Sequence, residues 1–234
     1  ISLRLLAGAR DASAAQVTSD VFLGDYTNLD DLRRTVTGAD VMTFDHEHVP
    51  TEHLTTLIAE GVNVQPQPTA LVNAQDKLVM RQHLAALGAP VPRFVAIESV
   101  ADIEAFWRQV DGEVCLKARR GGYDGHGVWF PKSEGECVEL VTRLLDAGML
   151  LMAEQKVRLV RELSAMVART PSGATQPWPV VESVQVDGIC TEAIAPAPGL
   201  SAELQQEAQA LAVLVATELN VTGVLAVALF ETID

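Results

Sequence analysis

The 234-residue sequence predicts an α/β segment followed by an α+β segment, and three observations carry that expectation. Residues 1–70 alternate short apolar runs with helical patterns, the rhythm of βαβ units on a parallel sheet. A loop containing Gly121, Gly122, Gly125 and Gly127 separates the apolar runs Val114-Cys115-Leu116 and Val128-Trp129-Phe130, so it should tip a β-hairpin. From Glu162 onward, apolar runs are divided by turn signals at Pro171-Ser172-Gly173 and Asp187-Gly188, which predicts antiparallel strands.

The elements follow in order. Asn28 should cap a helix whose first turn holds Asp30 and Asp31. Val41-Met42-Thr43-Phe44 reads as a buried strand ending at Asp45, Pro50-Thr51-Glu52 opens a helix that Gly61 closes, and Val62-Asn63-Val64 is the next strand. Asp45 and Glu47 would then lie at the carboxyl edge of their strand, where open α/β sheets collect ligands. Asn73 should cap a helix running to about Leu87, stopped by Gly88 and Pro90. Beyond Pro90-Val91-Pro92 come a strand at Phe94–Ile97, a helix near 99–109, the hairpin, a helix near 133–147 and a strand at Leu150–Ala153. Strands at 163–169 and 180–185, a helix at about 201–218 and a strand at Val224–Phe230 complete the pattern.

The chemistry gathers around the glycine loop. Lys117 and two arginines, Arg119 and Arg120, sit at its mouth. Glycines let backbone N–H groups fold over anionic oxygens, and neighbouring cations supply matching charge. The segment Gly122, Tyr123, Asp124, Gly125, His126, Gly127, Val128 therefore reads as a flap over phosphates. Neither GxxxxGK[ST] nor a strand-to-helix GxGxxG occurs. Lys77, near a helix start, and Lys117 can both meet phosphate oxygens. Glu154, Gln155, Lys156 and Val157 offer groups to an adenine edge, and Glu162 can accept from ribose hydroxyls. His46, His48 and His53 match no standard zinc spacing, and no metal ligands are assigned. Trp129 and Phe130 are expected to pack the flap.

Composition narrows the function classes. The net charge is −14 and the pI about 4.7, which disfavours a nucleic-acid partner and leaves the few cations to form local anion sites. Three widely spaced cysteines, Cys115, Cys137 and Cys190, give no disulfide framework and predict a reducing cytoplasm. No apolar run reaches transmembrane length, so no membrane is expected. Both ends read as cut: the chain opens on Ile1 and stops at Asp234 directly after a strand.

In these motifs the sequence resembles the ATP-grasp superfamily, and within it the 5-(carboxyamino)imidazole ribonucleotide synthases of purine biosynthesis. The resemblance rests on Thr43 through Pro50, Gln75-Asp76-Lys77-Leu78, Lys117 through Val128, Glu154-Gln155, Arg161-Glu162-Leu163-Ser164 and Val224-Leu225-Ala226-Val227. It runs through the whole chain in one register. It implies an ATP-grasp fold with a truncated Rossmann-like, pre-ATP-grasp domain at 1–72, a small flap-bearing subdomain at 73–152 and an incomplete large subdomain at 153–234. It implies ATP and magnesium as cofactors, with bicarbonate activated as carboxyphosphate and its carboxyl group passed to the amine of 5-aminoimidazole ribonucleotide. Lys77, Lys117, Gly122 to Val128, Glu154, Gln155, Val157, Glu162 and Glu182 would line the ATP site. Glu47, Tyr123, Asp124 and His126 would face the ribonucleotide, and a homodimer is the implied assembly.

The departures matter as much. The family's first strand and glycine-rich loop would lie upstream of Ile1, and its Asn-Glu metal strand and Arg-x-His-Asn-Ser-Gly-His segment would lie beyond Asp234. Ala228 stands where the resemblance implies a magnesium-binding glutamate, and Glu231 should point to the other face of that strand. His126 replaces an arginine, a weaker anion partner. Impaired turnover is therefore expected, with a non-catalytic nucleotide-binding paralogue as the alternative. A changed carboxyl acceptor, as in biotin carboxylase or formate-dependent glycinamide ribonucleotide transformylase, is disfavoured by Thr43–Pro50 and Tyr123-Asp124-Gly125.

Overall fold

The computed structural model describes residues 1–122 and 126–233, and the chain divides into two compact units, Ile1–Leu71 and Val72–Asp234. In the first unit, β1 (Arg4–Ala7) pairs in parallel with β2 (Asp20–Leu23), after a short 3-10 turn at Ser13–Gln16. Then come α1 (Leu29–Val36) and α2 (Thr51–Ala59). Asn28 does cap α1, its side chain accepting from the N–H groups of Asp30 and Asp31. Leu32, Val49, Leu54, Leu57, Val64 and Leu71 form the core of this unit.

Two expected strands shrink to a single parallel bridge between Met42 and Val64. A strand needs a ladder of partners to satisfy its backbone, and apolar composition alone supplies none. Val41, expected to be buried, is exposed.

The helix expected over 73–87 is two helices, α3 (Pro68–Gln75) and α4 (Lys77–Ala86). Asp76 breaks it: its side chain accepts from the N–H groups of Leu78 and Val79, which makes Asp76 the cap of α4. Asn73 lies inside α3, and its Oδ1 is hydrogen-bonded to His83 Nδ1 at 2.7 Å across the break.

Next come β3 (Phe94–Ile97), α5 (Val100–Gln109), β4 (Val114–Ala118), β5 (Val128–Trp129), α6 (Glu134–Asp146) and β6 (Leu151–Gln155). The strands form one antiparallel sheet in the order β3-β6-β4-β5. Ser99 and Asp102 close a capping box on α5, and Ser133 caps α6. Strand alternation then divides the labour of the sheet. Val114, Leu116, Leu151 and Ala153 face Ile103, Phe106, Val141 and Leu144 of the two helices in a shared core, with Trp129 packed against it. Cys115, Lys117, Met152 and Glu154 point to the opposite face.

The last section holds β7 (Leu159–Arg169), β8 (Thr175–Pro177), β9 (Val181–Val186), β10 (Ile189–Ile194), α7 (Ala202–Glu218) and β11 (Gly223–Thr232). Its antiparallel sheet runs β10-β9-β7-β11, with β8 also on β7. Asp187 and Gly188 both take positive φ, 52° and 81°, the geometry of a tight β9–β10 hairpin. Leu163, Ala165 and Val167 of β7, with Leu225, Val227 and Leu229 of β11, pack on Ala212 and Ala216 of α7. No helix among the described residues is long and apolar enough to cross a membrane.

Asp76 also ties α4 to the hairpin. It is 2% exposed and accepts from Arg119 Nε at 3.1 Å, Arg119 Nη2 at 2.8 Å and Arg120 Nε at 3.2 Å. The two arginines expected to grip an anion directly are thus engaged by a buried carboxylate. Burial pushes the Asp76 carboxyl upward, but hydrogen bonds from Arg119, Val79 N–H and Arg120 outweigh it and hold the pKa below the ordinary 3.8. A depressed pKa contributes stability that is present above 3.8 and lost as pH falls through the lower folded value. Asp76→Asn keeps the cap but loses the charge, so it should destabilise the protein by about 2 kcal/mol at pH 7. In denaturant titrations the gap between variant and native protein should shrink when the pH is lowered to about 3.

Candidate functional site

The hairpin reading holds: β4 and β5 pair with Leu116 opposite Trp129 and Lys117 opposite Val128. The neck of the loop is tight. Ala118 N–H donates to Gly127 O at 2.8 Å. Gly127 has φ +74°, and a Cβ there would lie 3.1 Å from Ala118 Cβ and 3.4 Å from Gly122 Cα. A Cβ on Gly122 would meet His126 O at 2.7 Å. Both positions therefore require glycine. Tyr123, Asp124 and Gly125, expected at the tip, lie outside the described residues.

Lys77, from α4, reaches this neck, and Lys117 stands on β4, the strand that leads into it. Lys77 is the first residue of α4, and its N–H donates to Arg119 O at 2.9 Å, which sets the start of α4 beside the end of β4. Its Nζ lies 3.3 Å from where a Gly122 Cβ would stand. Lys117 projects from β4 on the face away from the α5–α6 core. Its Nζ donates to Glu154 Oε2 at 2.5 Å.

Glu154 has a different surrounding from the one expected. Its carboxylate is 2% exposed and also accepts from Arg81, from Nε at 2.6 Å to Oε1 and from Nη2 at 3.4 Å to Oε2. Burial raises the Glu154 pKa, but the charges of Lys117 and Arg81 and their hydrogen bonds outweigh that and leave it lowered, so the group is an anion. With three acceptor positions taken by Arg81 and Lys117, the Glu154 carboxylate has room for one further donor. Beyond Gln155 the chain leads from β6 through Lys156 and Val157 towards β7. Cys115 shares this face, and burial pushes its thiol to about 11, so it is a neutral packing group.

Glu162 lies on β7 opposite Ser183 of β9 and Phe230 of β11. Burial raises its carboxyl, and the charge of Lys117 opposes that rise without cancelling it. Lys117 thus acts electrostatically on two carboxylates. Glu182 is registered with Leu163, one residue along, so it emerges on the opposite face of the sheet from Glu162. There Arg161 Nη1 donates to Glu182 Oε2 at 3.0 Å and Arg161 Nε to Glu231 Oε2 at 2.6 Å. Glu182 and Glu162 do not line one surface. Ala228 is registered with Ser164, on the Glu162 face, while Glu231 is opposite Arg161 on the other, as alternation requires.

Glu47 belongs to the first unit, in an irregular stretch where His48 N–H donates to His46 Nδ1 at 3.2 Å and Tyr26 meets the His46 ring edge-on. Two residues of the second unit escaped sequence reasoning, Asp76 as a tie and Arg81 as a partner of Glu154. Arg81 carried a usable signal: four residues after Lys77, it shares that residue's helix face.

Comparisons with known proteins bear on this geometry. Residues 82–234 match the ATP-grasp domain, and residues 1–75 match the ribonucleotide synthetase preATP-grasp domain. The N5-carboxyaminoimidazole ribonucleotide synthase of Corynebacterium ammoniagenes is 66% identical over 229 residues, covering 98% of this chain and 55% of the relative. The chain thus spans about half the length of the curated relatives it matches. The crystal structure of N5-carboxyaminoimidazole ribonucleotide synthetase from Thermus thermophilus superposes with a TM-score of 0.90 at 31% identity, covering 99% of this chain and 62% of that one. The Aspergillus clavatus N5-carboxyaminoimidazole synthase, in complex with ADP and 5-aminoimidazole ribonucleotide, gives 0.87 at 26%, covering 99% and 60%. With a glycine-necked hairpin, two lysines at its base and a domain match across most of its length, this chain belongs to the ATP-grasp family.

Proposed function

We propose that this chain carries the nucleotide site of an ATP-dependent carbon–nitrogen ligase that carboxylates 5-aminoimidazole ribonucleotide in purine biosynthesis, in the cytoplasm. The observation that carries the reading is the Lys77 ammonium at the glycine neck of a hairpin whose first strand, β4, carries Lys117 opposite Val128. Phosphoryl transfer asks for positioning and charge neutralisation more than for a covalent group, and two ammonium groups beside a backbone flap are suited to that. In the overall reaction bicarbonate oxygen attacks the γ-phosphorus of ATP, giving ADP and carboxyphosphate. The exocyclic amine then takes the carboxyl group, releasing phosphate and a proton.

The residues divide the work as follows. Lys77, Lys117 and the N–H groups between Gly122 and Val128 hold the phosphates, with His126 able to donate one hydrogen bond. The backbone of Gln155 and Val157 receives adenine, and Glu162 accepts from the ribose hydroxyls. Glu154 acts through Lys117, and Glu182 acts through Arg161 in bracing the sheet. Glu47, Tyr123, Asp124 and His126 are assigned to the ribonucleotide, and a homodimer belongs to the same reading.

The magnesium that the family uses does not fit the residues described. No group of three His, Cys, Asp or Glu side chains among them could hold a metal ion. Ala228 puts a methyl group on the Glu162 face, and Glu231 is engaged by Arg161 on the other. The alternative, a nucleotide-binding paralogue without turnover, is not favoured, since the chain is 66% identical to a synthase over 98% of its length.

Calorimetric titration with ATP is the first test, and native protein that binds no ATP would overturn the reading. Lys117→Met should weaken ATP binding about tenfold or more, the size of one charge-assisted contact. Gly122→Ala should also weaken it, because the new Cβ meets a backbone oxygen at 2.7 Å and must open the neck. Because the collision is with backbone, the variant should also unfold at a somewhat lower temperature than native protein. Ala228→Glu restores a carboxylate to the Glu162 face and should raise magnesium-dependent phosphate release, in the presence of bicarbonate and 5-aminoimidazole ribonucleotide, above that of the native chain.

A further inference from the structure

Arg81 has no place in the reading above, yet it makes one of the closest contacts in the second unit. Its side chain is 14% exposed and meets both oxygens of Glu154, while Lys117, 15% exposed, meets one of them. We infer that Arg81 is a positioning residue that keeps the Lys117 ammonium effective towards a polyphosphate, by taking part of the Glu154 charge. The inference deepens the proposed nucleotide site and rests on it.

The argument is one of charge and register. A buried Glu154–Lys117 pair by itself is neutral, and its Coulomb attraction in a low-dielectric setting would fix the ammonium on the carboxylate. Two cations and one anion leave one net positive charge. The Arg81 guanidinium satisfies both carboxylate oxygens, so Lys117 retains donors for another anion. Arg81 stands one helical turn after Lys77. The same short helix therefore places one ammonium at the flap directly and tunes the second through Glu154.

The readout that separates this role from simple bracing is phosphate dependence. Binding of ATP, ADP and adenosine is measured by calorimetry for native protein, Arg81→Met, Arg81→Lys, Glu154→Gln and the double variant Arg81→Met/Glu154→Gln. Arg81→Met makes the triad neutral and should lose about tenfold or more in ATP affinity, with adenosine affinity little changed. The double variant returns the local charge to one positive and should regain most of the loss. Arg81→Lys should fall between. Equal losses for ATP and adenosine, or a double variant no better than Arg81→Met, would overturn the inference. Should circular dichroism show Arg81→Met unfolded, Glu154→Gln decides: with two positive charges it must favour ATP over adenosine more than native protein does, and no gain overturns the role. Native protein that binds no nucleotide refutes the site itself. Native binding matched by Arg81→Met refutes only the part given to Arg81.

Discussion

The buried carboxylate of Glu154 is the point on which the second unit turns. It lies on the face of a small antiparallel sheet turned away from α5 and α6, and collects a guanidinium from α4 and an ammonium from the neighbouring strand. A carboxylate taken out of water is tolerated only with such partners, and removing both would leave its charge uncompensated. This constraint fixes α4 against the sheet, orients Lys117 and determines which side of the sheet is chemical. The helices α5 and α6 take the other side, where Leu116 and its neighbours bury their apolar bulk.

Asp76 repeats the device at the other end of the same contact. It caps α4 with one oxygen and holds Arg119 with both, so the start of the helix and the base of the hairpin move together. Lys77, the residue after the cap, is carried to the glycine neck as a consequence. Two buried acids, each satisfied by cations from another element, thus set two lysines around one loop. Arg119 and Arg120 sit where an anion site would want them, but much of their charge is already answered.

The larger sheet shows how strand period sorts residues that look equivalent in sequence. Glu162 and Glu182 are both acids on adjacent strands, yet the register of β7 with β9 sends them to opposite faces. Glu182 joins Glu231 on Arg161, a three-strand brace beside the α7 core. Glu162 keeps the face it shares with Ala228, where burial and Lys117 act on its carboxyl.

Much of this was legible in the chain itself. The glycine loop between apolar runs announced the hairpin, Asn28 and the turn signals placed their elements, and the motifs around Lys77, Lys117 and Glu162 named the family, because these features depend on residues close together in sequence. The break at Asp76, the reduction of two expected strands to one Met42–Val64 bridge, the pairing of Arg81 with Glu154 and the separation of Glu182 from Glu162 were decided only by tertiary structure. Each depends on a partner supplied from far along the chain: a ladder neighbour, a counter-charge 73 residues away, or the register of an adjacent strand. Local sequence determines which groups are available, whereas burial and register determine which of them meet.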